Sequence, residues 1–218
     1  MKKTSWIILA VVAIAAVAVA AAYFFPILTV KSVEVVGAKH ADVAAVEEAA
    51  GVDQGENMLR VDTATAAKGV SAVPWVEKVT VSRSWPTTIT VDVTEHEPVG
   101  FVMDGDTPQV VDAHGRVFLA GVQPEGSVEF DKASADDSAA LEAAATAVTA
   151  LNPELRAQVE KVEVPTAESV VLFFPEGRSV TWGSAERAEE KAEATRIVLG
   201  REGQQWNVSN PAMPSVKN

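Results

Sequence analysis

Residues 6–28 read WIILAVVAIAAVAVAAAYFFPIL, with no charge and no polar group beyond one indole and one phenol. That is 23 residues, and a helix needs about 20 to cross the hydrocarbon core of a bilayer. A signal peptide would share the basic start at Lys2 and Lys3 and the small residues Ala20, Ala21 and Ala22. Its apolar region usually ends after about 7 to 15 residues, whereas this one continues through Tyr23, Phe24 and Phe25. The expectation is therefore an uncleaved anchor, with Trp6 and Tyr23 near its two interfaces.

Charge sets the expected orientation. Lys2 and Lys3 hold residues 1–5 in the cytoplasm by the positive-inside rule, which sends the chain beyond residue 28 across the membrane. That exported part carries 16 Lys+Arg against 30 Asp+Glu, a net charge of −14. Such acidity makes the exported part a poor nucleic-acid binder and a poor adhesive for anionic lipid heads, and mainly keeps an alanine-rich chain soluble. The chain has no cysteine, which excludes disulfides, thiolate metal sites and thiol nucleophiles.

Alternation over residues 29–36 (TVKSVEVV) predicts a first strand ended by Gly37. Helical spacing of Val43, Val46 and Ala50 predicts a helix over 41–50, with Asp42 at its start and Gly51 as its stop. A turn follows, and then a second short helix from Asp62 to Val73, closed by Pro74. Val79, Val81, Arg83 and Trp85 share one face of the next strand, and Ile89, Val91 and Val93 one face of its partner. Facing sets meet across a three-residue loop, Pro86-Thr87-Thr88, which pairs Trp85 with Ile89, Arg83 with Val91 and Val81 with Val93. Trp75 and Trp85 then bracket the first strand of the hairpin, each capping one end of a small core. Arg83 reads either as an edge arginine with its stem over Trp85 or Val91 and its head in water, or as a contact to a partner or the membrane-proximal surface.

The order strand, two helices, hairpin predicts an α+β unit. With the string GENMLRVD…VPWVEKVTVSRSWPTTITVDVTEHEPVGFV just outside an anchor, it resembles the POTRA domain of the FtsQ/DivIB cell-division family. Members share N-L/M-L, L-P-W-V, V-x-R-x-W-P and E-x-x-P-V patterns. This chain departs in having His96 where a basic residue is common and Gly100 where alanine is common.

Beyond Val99 the pattern stays β-rich. GFVM and PQVVDAHGRVFLAG predict short strands around a turn at 112–115, similar to the family's D-x-x-G-x-x-F hairpin. Residues 124–138 read as a polar, acidic connection. A helix is expected over 138–151, with Leu141, Ala144, Ala145, Val148 and Leu151 as its stripe. Strands are expected at 159–164, 170–174 and 179–182, with a turn at Pro175-Glu176-Gly177. A charged helix over 185–199 carries Ala188, Ala192, Thr195 and Leu199 inward and stacks Glu186 with Glu190 and Glu189 with Glu193, like-charge pairs that helices dislike. A short strand over 205–209 precedes Pro211 and Pro214. The resulting fold is α+β: a cytoplasmic start (1–5), a transmembrane helix (6–28), a POTRA-like β-α-α-β-β domain (29–97), a mostly antiparallel β domain with flanking helices (98–210) and an irregular tail (211–218).

Catalytic chemistry finds no foothold. His40, His96 and His114 lack metal-ligand spacing, and in an extended Glu95-His96-Glu97 the carboxylates and the imidazole point to opposite faces. Asp104, Asp106 and Asp112 flank turns, where aspartate is common for backbone reasons. No G-x-S-x-G or S-x-x-K occurs. No enzyme activity and no cofactor is expected.

The resemblance implies a non-enzymatic bitopic scaffold at the division septum that binds FtsB and, through it, FtsL, controlling septal peptidoglycan synthesis. Strand addition at a sheet edge is the physical route. The candidate partner-binding residues are Gly183, Ser184, Gln205, Trp206, Asn207, Val208, Ser209 and Asn210, with Trp206 as anchor or core residue. Better-known members carry Arg after the glycine and Arg-Tyr after the strand, where this chain has Ser184, Ser209 and Asn210, so its side-chain contacts must differ. The alternatives are a POTRA-type envelope export or assembly module, which would bring tandem repeats and a barrel, and a membrane-tethered wall enzyme, which would need a catalytic cleft.

Overall fold

The structure is a computed structural model describing residues 2–24 and 28–217. It divides into two compact units, 1–95 and 96–218. Its fold is α+β: among the described residues one helix, at the N-terminus, is long and apolar enough to cross a membrane, and it precedes a small mixed domain and a large, mostly antiparallel sheet domain.

Helix α1 (Lys2–Phe24) is long and apolar enough to cross a membrane over Trp6–Tyr23, none of it buried against the protein. Residues 25–27, the end of the expected span before Leu28, lie outside the described residues. After an isolated bridge between Thr29 and Asn57, β1 (Ser32–Val36) begins three residues later than its alternation suggests. Helix α2 (Val43–Ala50) is capped as read: Asp42 accepts from the Ala44 N–H, and Gly51 takes the left-handed conformation. Val43, expected in its inward stripe, is exposed, while Val46 and Ala50 are buried. Helix α3 (Thr63–Val70) starts at the Asp62 cap but ends three residues short of Val73, which falls in the turn before Pro74.

The hairpin β2 (Val76–Ser84) and β3 (Thr88–Glu95) pairs Arg83 with Ile89 and Val81 with Val91. The loop has three residues, as expected, but they are Trp85-Pro86-Thr87. Both registers keep the apolar residues facing one another, so alternation could not choose between them. Trp85 is left 53% exposed in the turn rather than capping the core. Trp75 does pack against the core, and it stacks on His40. Strand β1 joins β3 in parallel, giving the order β1-β3-β2. Val46, Val70, Ile89 and Val91 are fully buried between sheet and helices.

Arg83 corrects the reading that put its head in water. Its Nε donates to the Met58 carbonyl at 2.8 Å and Nη2 to the Val61 carbonyl at 2.5 Å. A guanidinium's fixed fork suits two carbonyls of one turn, so Nε and Nη2 are held by the chain itself.

The second unit holds a nine-stranded sheet: β4 (Pro98–Asp104), β5 (Thr107–Asp112), β6 (Val117–Ala120), β7 (Val128–Asp131), β8 (Lys161–Glu163), β9 (Val170–Phe174), β10 (Arg178–Gly183), β11 (Gln205–Asn207) and β12 (Ser215–Lys217). Their spatial order is β12-β11-β10-β9-β8-β7-β4-β5-β6. Strand β7 lies inside the acidic stretch read as a connection, and it pairs in parallel with both β4 and β8. Only Val128 and Phe130 are apolar at alternate positions there, too short a run for period-2 reasoning. Phe130 is fully buried, its ring where a Cβ on Gly100 would stand, 2.4 Å away. The glycine at 100 is thus matched to a large neighbour.

Helix α4 (Ser138–Ala150), capped by Asp137, buries Leu141, Val148 and five alanines. Those small side chains let its backbone approach the sheet closely. A short helix, α5 (Pro153–Arg156), follows unforeseen, and α6 (Ala188–Leu199) begins three residues later than expected. The like-charge pairs anticipated on α6 are relieved by Arg187, which holds Glu190, and Arg196, which holds Glu193, each at 2.6 Å.

Candidate partner-binding edge

The candidate residues gather where α6 meets the end of the sheet. Gly183 closes β10 at φ +81, and a Cβ there would stand 3.1 Å from the Ser209 Cβ. Glycine therefore allows both the backbone turn and the close return of the 208–209 segment. The Ser184 carbonyl accepts from Lys191 Nζ at 2.8 Å. Lys191 is only 2% exposed, and burial lowers its pKa, with Glu186 partly opposing. Sequence reading missed it, although its place between Ala188 and Ala192 puts it inside the inward stripe.

Trp206 and Val208 belong to the core, 8% and 0% exposed, and the Val208 N–H donates to the Thr181 carbonyl. Asn207 folds back, its Oδ1 accepting from both the N–H and the hydroxyl of Ser209. The Asn210 carbonyl accepts from the Met213 N–H, continuing the turn. Gln205 is exposed. Three of the eight residues pack, three build a turn, Ser184 acts through its backbone and Gln205 faces solvent.

The expected open edge at 205–209 is corrected by the tail. Residues 215–217, anticipated as irregular, form β12 and pair antiparallel with β11: Gln205 with Lys217, Trp206 with Val216, Asn207 with Ser215. The other side of β11 pairs in parallel with β10. Pro214 suggested a breaker, but a proline just before an outermost strand removes no ladder hydrogen bond. The sheet therefore ends at β12, whose outer side carries the unpaired backbone groups.

In register, Val180, Trp206 and Val216 lie in one row across three strands. Their exposures are 0%, 8% and 42%. This apolar row runs outward from the core and stops, partly uncovered, at the last strand. The opposite row of Thr181, Asn207 and Ser215 is polar. Beside the edge, α6 and residues 211–214 enclose a groove of about 540 Å³ lined by Glu189, Glu193, Ala194, Ile197, Pro211 and Pro214. Arg187 and Arg196 hold the carboxyls of Glu190 and Glu193 below their usual range.

The acidic triplet is dispersed among structural tasks. Glu95 accepts from the N–H groups of Lys39, His40 and Ala41 and binds His40 Nδ1. His96 pairs with buried Asp112 at 2.8 Å and stacks on Phe118. Glu97 pairs with Arg156. Asp112 also accepts from the N–H groups of His114 and Arg116, ordering the β5–β6 turn.

The FtsQ-type POTRA domain family matches residues 28–96. Over 210 residues, the chain is 38% identical to a protein named cell division protein FtsQ from Corynebacterium glutamicum, covering 95% of each. It is 32% identical to the FtsQ protein of Mycobacteroides abscessus over 89% of this chain and 63% of that one. With the FtsQ protein of Streptomyces bingchenggensis it shares 33% identity, over 87% of this chain and 76% of the other.

Proposed function

The chain belongs to the FtsQ family of cell-division proteins, and from that premise we propose that it is a bitopic, non-enzymatic scaffold whose sheet edge captures a strand from a partner. Its short N-terminus lies in the cytoplasm and residues 29–218 outside, concentrated at the septum. The partner is an FtsB-like bitopic protein, joined through it by an FtsL-like one, and their capture controls the septal peptidoglycan synthase.

The observation that carries this reading is Val216, 42% exposed at the end of the Val180–Trp206–Val216 row. A strand laid along β12 would satisfy its outward N–H and C=O groups and continue the apolar row, so backbone pairing gives affinity and the side chain opposite Val216 gives selectivity. The candidates on β11 and its turn support β12 from one strand further in. The groove beside α6 offers Ile197 and two prolines to the partner segment flanking the added strand.

The test is co-purification of the full-length protein from dividing cells. Val216→Pro, with circular dichroism unchanged, is expected to lose a small coiled-coil membrane partner and septal foci. Undiminished recovery would remove β12 from the proposal.

A further inference from the structure

A helix leaves the carbonyls of its last turn without intrahelical partners. At the end of α1 two of these are taken by a residue far along the chain: Asn57 Nδ2 donates to the carbonyls of Ala22 at 2.8 Å and Tyr23 at 3.1 Å. Asn57 is itself fixed. Its Oδ1 accepts from the Leu59 N–H, and its backbone bridges Thr29. The neighbouring Met58 N–H donates to the Leu28 carbonyl, and the Val30 N–H to that of Glu56. Arg83 holds the turn from below through Met58 and Val61.

Arg60, on the same turn, lies over the Tyr23 ring at 5.9 Å. It is exposed and ion-pairs with no carboxylate among the described residues. The 18 residues Trp6–Tyr23 rise roughly 27 Å as a helix, close to the bilayer core of about 30 Å. That places Tyr23 at the interface, where aromatic rings collect, and Arg60 at the depth of the headgroups. Asp53 and Glu56 share this turn, so bulk attraction to an anionic surface does not explain a contact there; a local one does.

We propose that the 55–61 turn is a membrane-surface contact, in which Asn57 ends the spanning helix and Arg60 binds the phosphate of the lipids around Tyr23. This rests on the reading that α1 spans the bilayer. The first unit is then seated on the membrane instead of swinging from a tether.

The chain has no cysteine, so single probes are unambiguous. Full-length protein carrying a fluorophore at Gln54→Cys, or at Ala10→Cys as a control, is placed in phosphatidylglycerol/phosphatidylcholine vesicles with quenchers at the headgroup or deep in the acyl chains. The expected result is deep quenching at position 10 and headgroup quenching at position 54, the latter falling several-fold in Arg60→Glu and resisting millimolar inorganic phosphate. If position 10 escapes the deep quencher, the spanning reading fails and takes the proposal with it. If position 10 is deep but position 54 is unquenched, or is quenched equally in Arg60→Glu, the surface contact is wrong. Abolition by free phosphate would overturn lipid as the ligand.

Discussion

Val216 stands directly opposite Trp206 in the β11–β12 pairing, so a buried indole on one strand meets a half-exposed valine on the last. The two positions should respond oppositely to mutation. Trp206→Ala empties a core site, costing about 3–5 kcal/mol. Val216→Asp alters only the rim of the sheet, and its cost should stay near 1 kcal/mol or below. Urea unfolding of the second unit, set beside partner recovery, checks this: partner loss with stability kept is expected for Val216→Asp alone.

Arg83→Met should free the Met58 and Val61 carbonyls. Charged donors are worth about 1.5–3 kcal/mol each, so amide hydrogen exchange of residues 57–61 should accelerate strongly. Arg83→Lys should not restore protection, since a single ammonium cannot reproduce the fork.

Glu95 gives the first unit an acid limit. Burial raises its pKa, but the Ala41 and Lys39 amides and both groups of His40 outweigh that and bring it from 4.5 to about 2. A carboxyl depressed in the folded state stabilises fully above pH 4.5, and that contribution is lost as the pH falls toward 2, of order 3 kcal/mol in all. Thermal unfolding followed by Trp75 fluorescence should flatten over this window in Glu95→Gln.

Gly100→Ala should cost about 1–3 kcal/mol, because the new methyl meets the Phe130 ring. Phe130→Leu should cost less in the Gly100→Ala background than alone. Additive losses in a double-mutant cycle would deny the coupling.

Local chemistry made much of this fold legible. The caps at Asp42 and Asp62 and the alternation of the hairpin follow from short-range rules, and the helices formed at those places. What failed needed long-range information. Strand β7 has two apolar residues and exists because β4 and β8 flank it. Strand β12 has one, Val216, and exists because β11 offers a ladder. Arg83 sits on the expected face, but its partners come from residues 58–61, which no periodicity brings near. The site suffered most for the same reason: the residues chosen from the last apparent strand lie one strand inside the true edge.

Strand addition at β12 is tested most directly by amide hydrogen exchange of the full-length protein, alone and with its membrane partner bound. The account predicts new protection at the outward amides of residues 215–217, with those of 205–207, already paired on both sides, unchanged. Protection gained at 205–207, or none gained at 215–217 in a complex that demonstrably forms, would contradict it.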